Sequence, residues 1–394
     1  MDTIYKEALA FHRAHQGKLT TASKVELKDK HDLALAYTPG VAEPCRVIAK
    51  DIKEAYNLTW KGRTVAVISD GSAVLGLGNI GPTAGIPVME GKALLMKQFA
   101  GIDAIPLVID TQNPEEIIRF VKHIAPNFAG INLEDVSAPR CFQIEEALQD
   151  IGIPVFHDDQ HGTAIVVSAA LHNAAKVVGK PFNTLKVVVV GAGAAGLAIS
   201  RMLLGLDCYN NTCQYLSGID KVGDLIVVDK TGALYAGRPN QNIYKQALAG
   251  MSNIHMRKGP LSEVIVGADV VIGVSGPGSI SPEMVKSMAK KAIVFAMANP
   301  LPEIMPDAAL RAGAYVVATG RSDFPNQINN VLAFPGVFKA VVDGRLRTIT
   351  SHMKIAASRA IQGMILEPTV DRIIPDPFTP DLAKKVSEAI LAAR

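Results

Sequence analysis

The sequence predicts an α/β fold: two parallel-sheet domains in succession, with helical N- and C-terminal segments. Two observations carry this. Short β-branched runs alternate with helical stretches from Thr64 onward, and the alternation restarts after a Gly-Lys-Pro-Phe-Asn loop at 179–183. A length of 394 residues suits two such units, or three, each with its own large core.

Taken in order, residues 1 to about 60 read as helical, with Ile4, Leu9 and Phe11 in the first segment and a Pro-punctuated turn at Tyr37-Thr38-Pro39-Gly40-Val41-Ala42. The first strand series is Val65 to Ser69, Ala104 to Ile109, Ala129 to Leu133 and Pro154 to Phe156. A small-residue helix from Gly162 to about Val178 leads to the second series, which starts at Leu185. It continues at Leu225 to Val228, Val270 to Val274, Ile293 to Met297 and Tyr315 to Ala318. Pro380 marks the start of a last helix over 381–393. The division falls at 1–161 and 162–394, with the C-terminal helices expected to pack back on the first domain.

Composition excludes several classes. The 40 basic and 37 acidic residues are evenly spread, so no tract suggests nucleic acid and a small-molecule partner is the default. No apolar run approaches the roughly 18 residues of a membrane span, and the N-terminus lacks a basic-then-apolar order, which points to a cytoplasmic protein. Cys45, Cys141, Cys208 and Cys213 have no CxxC spacing, so free thiols are expected rather than disulfides or zinc.

The pattern G-x-G-x-x-G occurs twice. Gly76-Leu77-Gly78-Asn79-Ile80-Gly81 is followed by Pro82 and Pro87, which disfavours a helix starting directly behind it. Gly191-Ala192-Gly193-Ala194-Ala195-Gly196 instead follows the strand Lys186 to Val190 and precedes a good helix former, Leu197 to Leu204. That context makes the second domain a Rossmann-type dinucleotide-binding unit, the pyrophosphate resting on backbone N–H groups at the helix N-terminus. Asp229, at the end of the next strand, is the candidate for the adenine ribose; an insertion around Asp207 to Gly223 explains its distance from the glycines. Lys230 follows it, so NAD and NADP both remain open.

In the first domain, Asp70, Asp110, Glu134-Asp135 and Asp158-Asp159 each follow an apolar strand. Such acids gather on one edge of a parallel sheet, where carboxylates can hold Mg²⁺ or Mn²⁺ with positions left for water or substrate. Any single acidic pair is more often a solvated turn or helix cap; two pairs on consecutive strands favour the metal. His157 and His161 flank the second pair and read as supporting or structural residues.

The motifs together resemble the malic enzymes, in their short bacterial-type form. The resemblance runs from Tyr37-Thr38-Pro39-Gly40 through Ser69-Asp70-Gly71, the 76–81 loop, Gly91-Lys92 and Asn132-Leu133-Glu134-Asp135 to His157-Asp158-Asp159-Gln160-His161-Gly162. It continues through the 191–196 loop, Ala298-Asn299-Pro300 and Asn329-Asn330 before Phe334-Pro335-Gly336. It implies oxidative decarboxylation of malate to pyruvate with NAD or NADP and a divalent metal. Tyr37 matches the general acid, Lys92 the general base, and Glu134, Asp135 and Asp159 the metal ligands. Asp158 stands beside them as a supporting catalytic residue, and Asn299, Asn329 and Asn330 match positions that contact substrate or nicotinamide. A homodimer is implied, with Tyr37 or its neighbours near the interface. One departure is Ser72-Ala73-Val74, where larger eukaryotic-type relatives carry a substrate-binding Arg.

Lys92 can take the malate hydroxyl proton only when neutral, and a free lysine titrates near ~10.4, so burial and an adjacent dication are expected to lower it. Alternatives within the same site are a malolactic-type reaction and a dehydrogenase that does not decarboxylate. A nucleotide-sensing protein with a dead site would have no need to retain all five groups.

Overall fold

The computed structural model describes residues 2–209 and 212–394, apart from the side chains of Asp2 and Leu75. Three exposed helices open the chain, α1 (Asp2–His15), α2 (Lys30–Ala36) and α3 (Ala42–Lys50), followed by the single turn α4 (Ala55–Leu58). The expected continuous helical character fails at residues 16–29. Gly17, at φ +105°, ends α1 in a backbone conformation that side chains disfavour, and the chain then runs as a strap. The strap is tied down by Lys18, whose backbone N–H donates to Glu90 at 3.2 Å and whose ammonium donates to the Pro87 carbonyl at 2.7 Å.

The first sheet is formed by β1 (Thr64–Ser69), β2 (Asp103–Val108), β3 (Gly130–Leu133) and β4 (Val155–His157), all parallel, in the order β2-β1-β3-β4. Its crossovers are α5 (Pro82–Ala100), α6 (Pro114–Ile124) and α7 (Arg140–Glu146). Contrary to the sequence expectation, α5 begins directly behind the first glycine loop. Pro82 sits at its first position, where the missing N–H costs nothing, and Pro87 is absorbed inside the helix. Helix α8 (Asp158–Val178) runs unbroken through the 161/162 division and is buried along most of its length.

The second sheet has the order β12-β11-β10-β5-β8-β9. Its members are β5 (Lys186–Val190), β8 (Asp224–Asp229), the short antiparallel β9 (Gly232–Ala233), β10 (Val270–Gly273), β11 (Ala292–Ala296) and β12 (Ala314–Thr319). Between them lie α9 (Ala194–Leu203), α10 (Ile243–Ala249), α11 (Leu261–Val264), α12 (Pro282–Ser287) and α13 (Pro306–Arg311). The insertion after α9 is an antiparallel hairpin, β6 (Leu206–Tyr209) with β7 (Thr212–Tyr215). Its register sets Cys208 opposite Cys213, and the two form a disulfide. That overturns the expectation of four free thiols, which holds for Cys45 and Cys141 alone. Sequence spacing missed the pair because strand pairing, not a CxxC turn, brings the sulfurs together.

The chain closes with α14 (Phe334–Gly344), α15 (Ser351–Gly363) and α16 (Leu382–Ala392), of which α14 and α16 pack against α5 and α15 against α8. One apolar core therefore runs from the first sheet (Val65, Ile131, Phe156) through α8 (Ile165, Leu171) into α14 (Phe334, Phe338) and one face of the second sheet (Val187, Ile272, Phe295). The other face of that sheet, with Val188, Ile226, Val271 and Val294, packs a separate core. Alternation of side chains along each strand makes this two-sided burial possible. Among the described residues no helix is long and apolar enough to cross a membrane.

Candidate active site

The C-terminal ends of β3 and β4 bring the acids together. Glu134 and Asp135 follow β3 directly, and Asp158 and Asp159 form the first turn of α8 behind β4. One oxygen each from Glu134, Asp135 and Asp159 lies within 4.8 Å of the others. Backbone geometry holds the cluster: the Asp135 N–H donates to Asp159 Oδ2 at 2.8 Å, and its carbonyl accepts the Ala73 N–H at 2.9 Å. The Asn132 amide donates to Glu134 at 2.8 Å. Glu134 is pushed well up by burial first, and then by the carboxylates of Asp159, Asp158 and Asp135 against the pull of Lys92. Three convergent oxygen donors that repel one another are the donor chemistry a hard divalent cation satisfies, so the residues fit Mg²⁺ or Mn²⁺.

Lys92, in the middle of α5 and 8% exposed, reaches into this cluster. It donates a short hydrogen bond to Asp158 and lies 3.1 Å from Glu134. The Phe334 ring of α14 covers its ammonium at 4.2 Å. Burial pulls Lys92 down, but the charges of Asp158, Glu134 and Asp159 outweigh it and hold the ammonium raised. Without a cation on the carboxylates, Lys92 is their counter-ion.

Gly162 is required here: a Cβ on it would stand 1.8 Å from Asp158 Oδ1 and 3.2 Å from Asn330 Cβ. Asn330 and Asp158 thereby both border Gly162. Asn329, the neighbouring residue, instead caps the following turn by accepting the Val331 N–H at 2.9 Å. Asn299 is brought to the first domain by the other glycine loop, since a Cβ on Gly76 would meet the Asn299 carbonyl at 1.8 Å. The first G-x-G-x-x-G is thus a place where the two halves touch.

Of the remaining strand-end acids, Asp70 accepts from Ser72 and Arg140, while Asp110 is exposed and outside the cluster. His161 bonds Glu145 at 2.7 Å and so supports the turn that carries the acids, while His157 lies 3.8 Å from Asp159 with neither ring nitrogen hydrogen-bonded. Glu145, which also accepts from Gln160 and the His157 N–H, escaped sequence reading, as did Phe334's role. Tyr37 is 67% exposed and makes no hydrogen bond or ion pair with Lys92 or the carboxylates of its own chain.

In the second domain Gly191 has φ +117° and packs against Val274; a Cβ on Gly196 would lie 1.8 Å from the Gly191 carbonyl. A Cβ on Gly193 would meet nothing. The outer glycines therefore serve strand–helix packing, and the middle one leaves the backbone open to a ligand, flanked by Ala192, Ala194 and Ala195. A cleft of about 660 Å³ opens at the ends of β5, β8 and β10 and takes in Gly191, Asp229, Lys230 and Ser275. Asp229 accepts from Arg238 at 2.6 and 2.9 Å and from Lys245 at 2.7 Å, and these bonds hold it well below the usual carboxylate range despite partial burial. The glycine geometry and the cleft fit a dinucleotide.

Fold and site together define a two-domain α/β chain of the nucleotide-dependent oxidoreductase type, with a carboxylate cluster facing its dinucleotide domain. The malic enzyme N-terminal domain matches residues 16–149, and the malic enzyme NAD binding domain matches residues 160–392. The chain belongs to the malic enzyme family. It is 52% identical, over 99% of its length and 93% of the relative's, to a bifunctional malic/malolactic enzyme of Bacillus subtilis. It is 51% identical to an NAD-dependent malic enzyme of Geobacillus stearothermophilus, over 96% of this chain and 76% of that one. The crystal structure of an NAD-dependent malic enzyme from Thermotoga maritima superimposes with a TM-score of 0.90 at 46% identity, covering 98% of each chain.

Proposed function

We propose that the chain oxidises and decarboxylates (S)-malate to pyruvate and carbon dioxide while reducing NAD or NADP, with Mg²⁺ or Mn²⁺ held by Glu134, Asp135 and Asp159. The observation that carries this is Lys92 buried against that carboxylate cluster, on the sheet edge that meets the dinucleotide domain through Asn299 and Asn330. Residues 1–161 supply acid, base and metal ligands, and residues 162–394 the nicotinamide site.

Glu134, Asp135 and Asp159 would hold the dication, which would supply Lewis-acid stabilisation of charge on the substrate oxygen, and the 191–196 loop would hold the nicotinamide cofactor, which would supply the hydride acceptor. Lys92 removes the C2 hydroxyl proton. Its charge is balanced by Asp158, Glu134 and Asp159, two of which would also hold the dication, so base and metal site share one set of carboxylates. Asp158, fixed by Gly162, keeps the Lys92 amine aimed. Loss of carbon dioxide breaks the C3–C4 bond, and Tyr37 protonates C3 of the resulting enol.

Tyr37 stands on an exposed apolar surface. Leu33, Leu35 and Val41 surround it in sequence and are exposed, and neither α2 nor α3 buries any residue within one chain. A homodimer in which these helices pack on a second copy accounts for that surface and carries the Tyr37 ring toward the partner's site. The cytoplasm is the compartment this reading favours.

A spectrophotometric assay with malate and Mn²⁺, comparing NAD with NADP and following carbon dioxide, tests the reaction. Malate-dependent NAD(P)H formation that EDTA abolishes is the expected result; no turnover with either cofactor would refute it. A malolactic reaction is the second reading, favoured by the 52% identity to the bifunctional relative. Lactate formed without free NAD(P)H would identify it.

A further inference from the structure

Two cations outside the catalytic cluster have no ion-pair partner within 4 Å among the described residues. Arg201, near the end of α9, is largely buried, yet makes no hydrogen bond or ion pair, and its Nε is fully enclosed with no partner. The Phe142 ring lies 5.8 Å from its guanidinium. Lys354, on α15, touches only the His161 imidazole, at 3.1 and 3.3 Å. Among the described residues no carboxylate oxygen lies within 4 Å of either. Both face one cavity of about 90 Å³, lined also by Met202, Ser351 and the hairpin residue Asp207.

The acids nearby are engaged elsewhere. Glu145 is taken up by His161, Gln160 and the His157 N–H; Glu146 faces the Tyr244 hydroxyl at 3.4 Å; Asp207 accepts from the Ser351 hydroxyl at 2.8 Å. An enclosed guanidinium N–H left without a partner is costly, and an arriving acceptor would remove that cost. A guanidinium fork and an ammonium around a small cavity match the oxygens of a compact oxyanion.

We propose that this cavity is a binding site for a small oxyanion, a phosphate or the carboxylate of a short organic acid, held by Arg201 and Lys354 at the junction of α8, α9 and α15. The site is separate from the Glu134/Asp135/Asp159 cluster and from the 191–196 loop, so it goes beyond the reaction proposed above. His161 connects it to the turn of α8 that carries Asp158 and Asp159. Occupancy therefore acts on the malate site from behind, as an effector would.

The test is titration calorimetry of the full chain with inorganic phosphate and, separately, succinate, with saturating NAD present so that the pyrophosphate loop is filled. Saturable binding of one or both at millimolar concentration is expected, and the better ligand shows which source of the oxyanion the site suits. Arg201→Gln and Lys354→Gln should each weaken it at least tenfold. Arg201→Lys, which keeps a cation at the same place, should weaken it less than Arg201→Gln and serves if the other variants do not fold. Absence of binding by both anions, or equal binding by all variants, would overturn the proposal.

Discussion

Gly162 shows how a single atom sets the chemistry of this site. Its missing Cβ is the space Asp158 occupies while holding Lys92. Gly162→Ala should displace Asp158 and lower kcat about 100-fold, the scale of a misplaced general base, with the dinucleotide affinity unchanged in fluorescence titration. Retained kcat would show that the Lys92–Asp158 contact has no part in turnover. Glu145 governs stability instead. Although burial pushes its carboxyl up, His161 and its other partners overcome this and hold it near 2, against 4.5 for an ordinary glutamate. A depressed carboxylate stabilises the fold above its unfolded value and loses that contribution as pH falls through the folded one, here between about 4.5 and 2. The contribution is roughly 3 kcal/mol, so urea unfolding at pH 5 and pH 3 should show wild type losing more stability than Glu145→Gln. Equal losses would mean that Glu145 titrates normally.

At the scale of elements, most strands were legible because short apolar β-branched runs between helical stretches have few other uses in an α/β chain. The sheet edges found in the structure differ from those read in the sequence by a residue or two. Val65 to Ser69 becomes Thr64–Ser69, and Leu225 to Val228 becomes Asp224–Asp229. Helix α8 starts earlier than its small-residue pattern suggested, because Asp158 and Asp159 are polar residues inside its first turn, where their charge suits the helix dipole. Strand β8 ends on Asp229, whose bonds to Arg238 and Lys245 suggest how the cofactor is chosen. Asp229→Ser would remove the carboxylate that suits a ribose hydroxyl and release two cations toward a 2′-phosphate. The ratio of kcat/KM for NADP over NAD is expected to rise at least tenfold. An unchanged ratio would place cofactor selection elsewhere, Lys230 being the next residue to test.

For the whole molecule the exposed N-terminal helices make a specific prediction about assembly. Tyr37→Phe and Lys92→Ala are each expected to abolish most malate turnover alone. If Tyr37 serves the partner's site, co-expressing the two variants creates mixed dimers with one intact site, restoring roughly a quarter of wild-type turnover under random pairing. If each Tyr37 serves its own chain, no mixture recovers activity. Sedimentation of the wild-type chain as a monomer would refute the dimer itself.

The sequence by itself determined the class of fold, the dinucleotide loop and the identity of the acids, because these depend on local periodicity and on residues adjacent in the chain. Glu134 with Asp135, and Asp158 with Asp159, could be read as pairs at strand ends. Only tertiary structure decided which of them converge, that Lys92 is charge-balanced by Asp158 and Glu134, and that Phe334 covers it. Those contacts join β3, α5, α8 and α14, elements far apart in the chain, and no local pattern encodes a distance between them. The Cys208–Cys213 bond and the cavity at Arg201 and Lys354 were hidden for the same reason. Strand register made the first, and the meeting of three helices made the second.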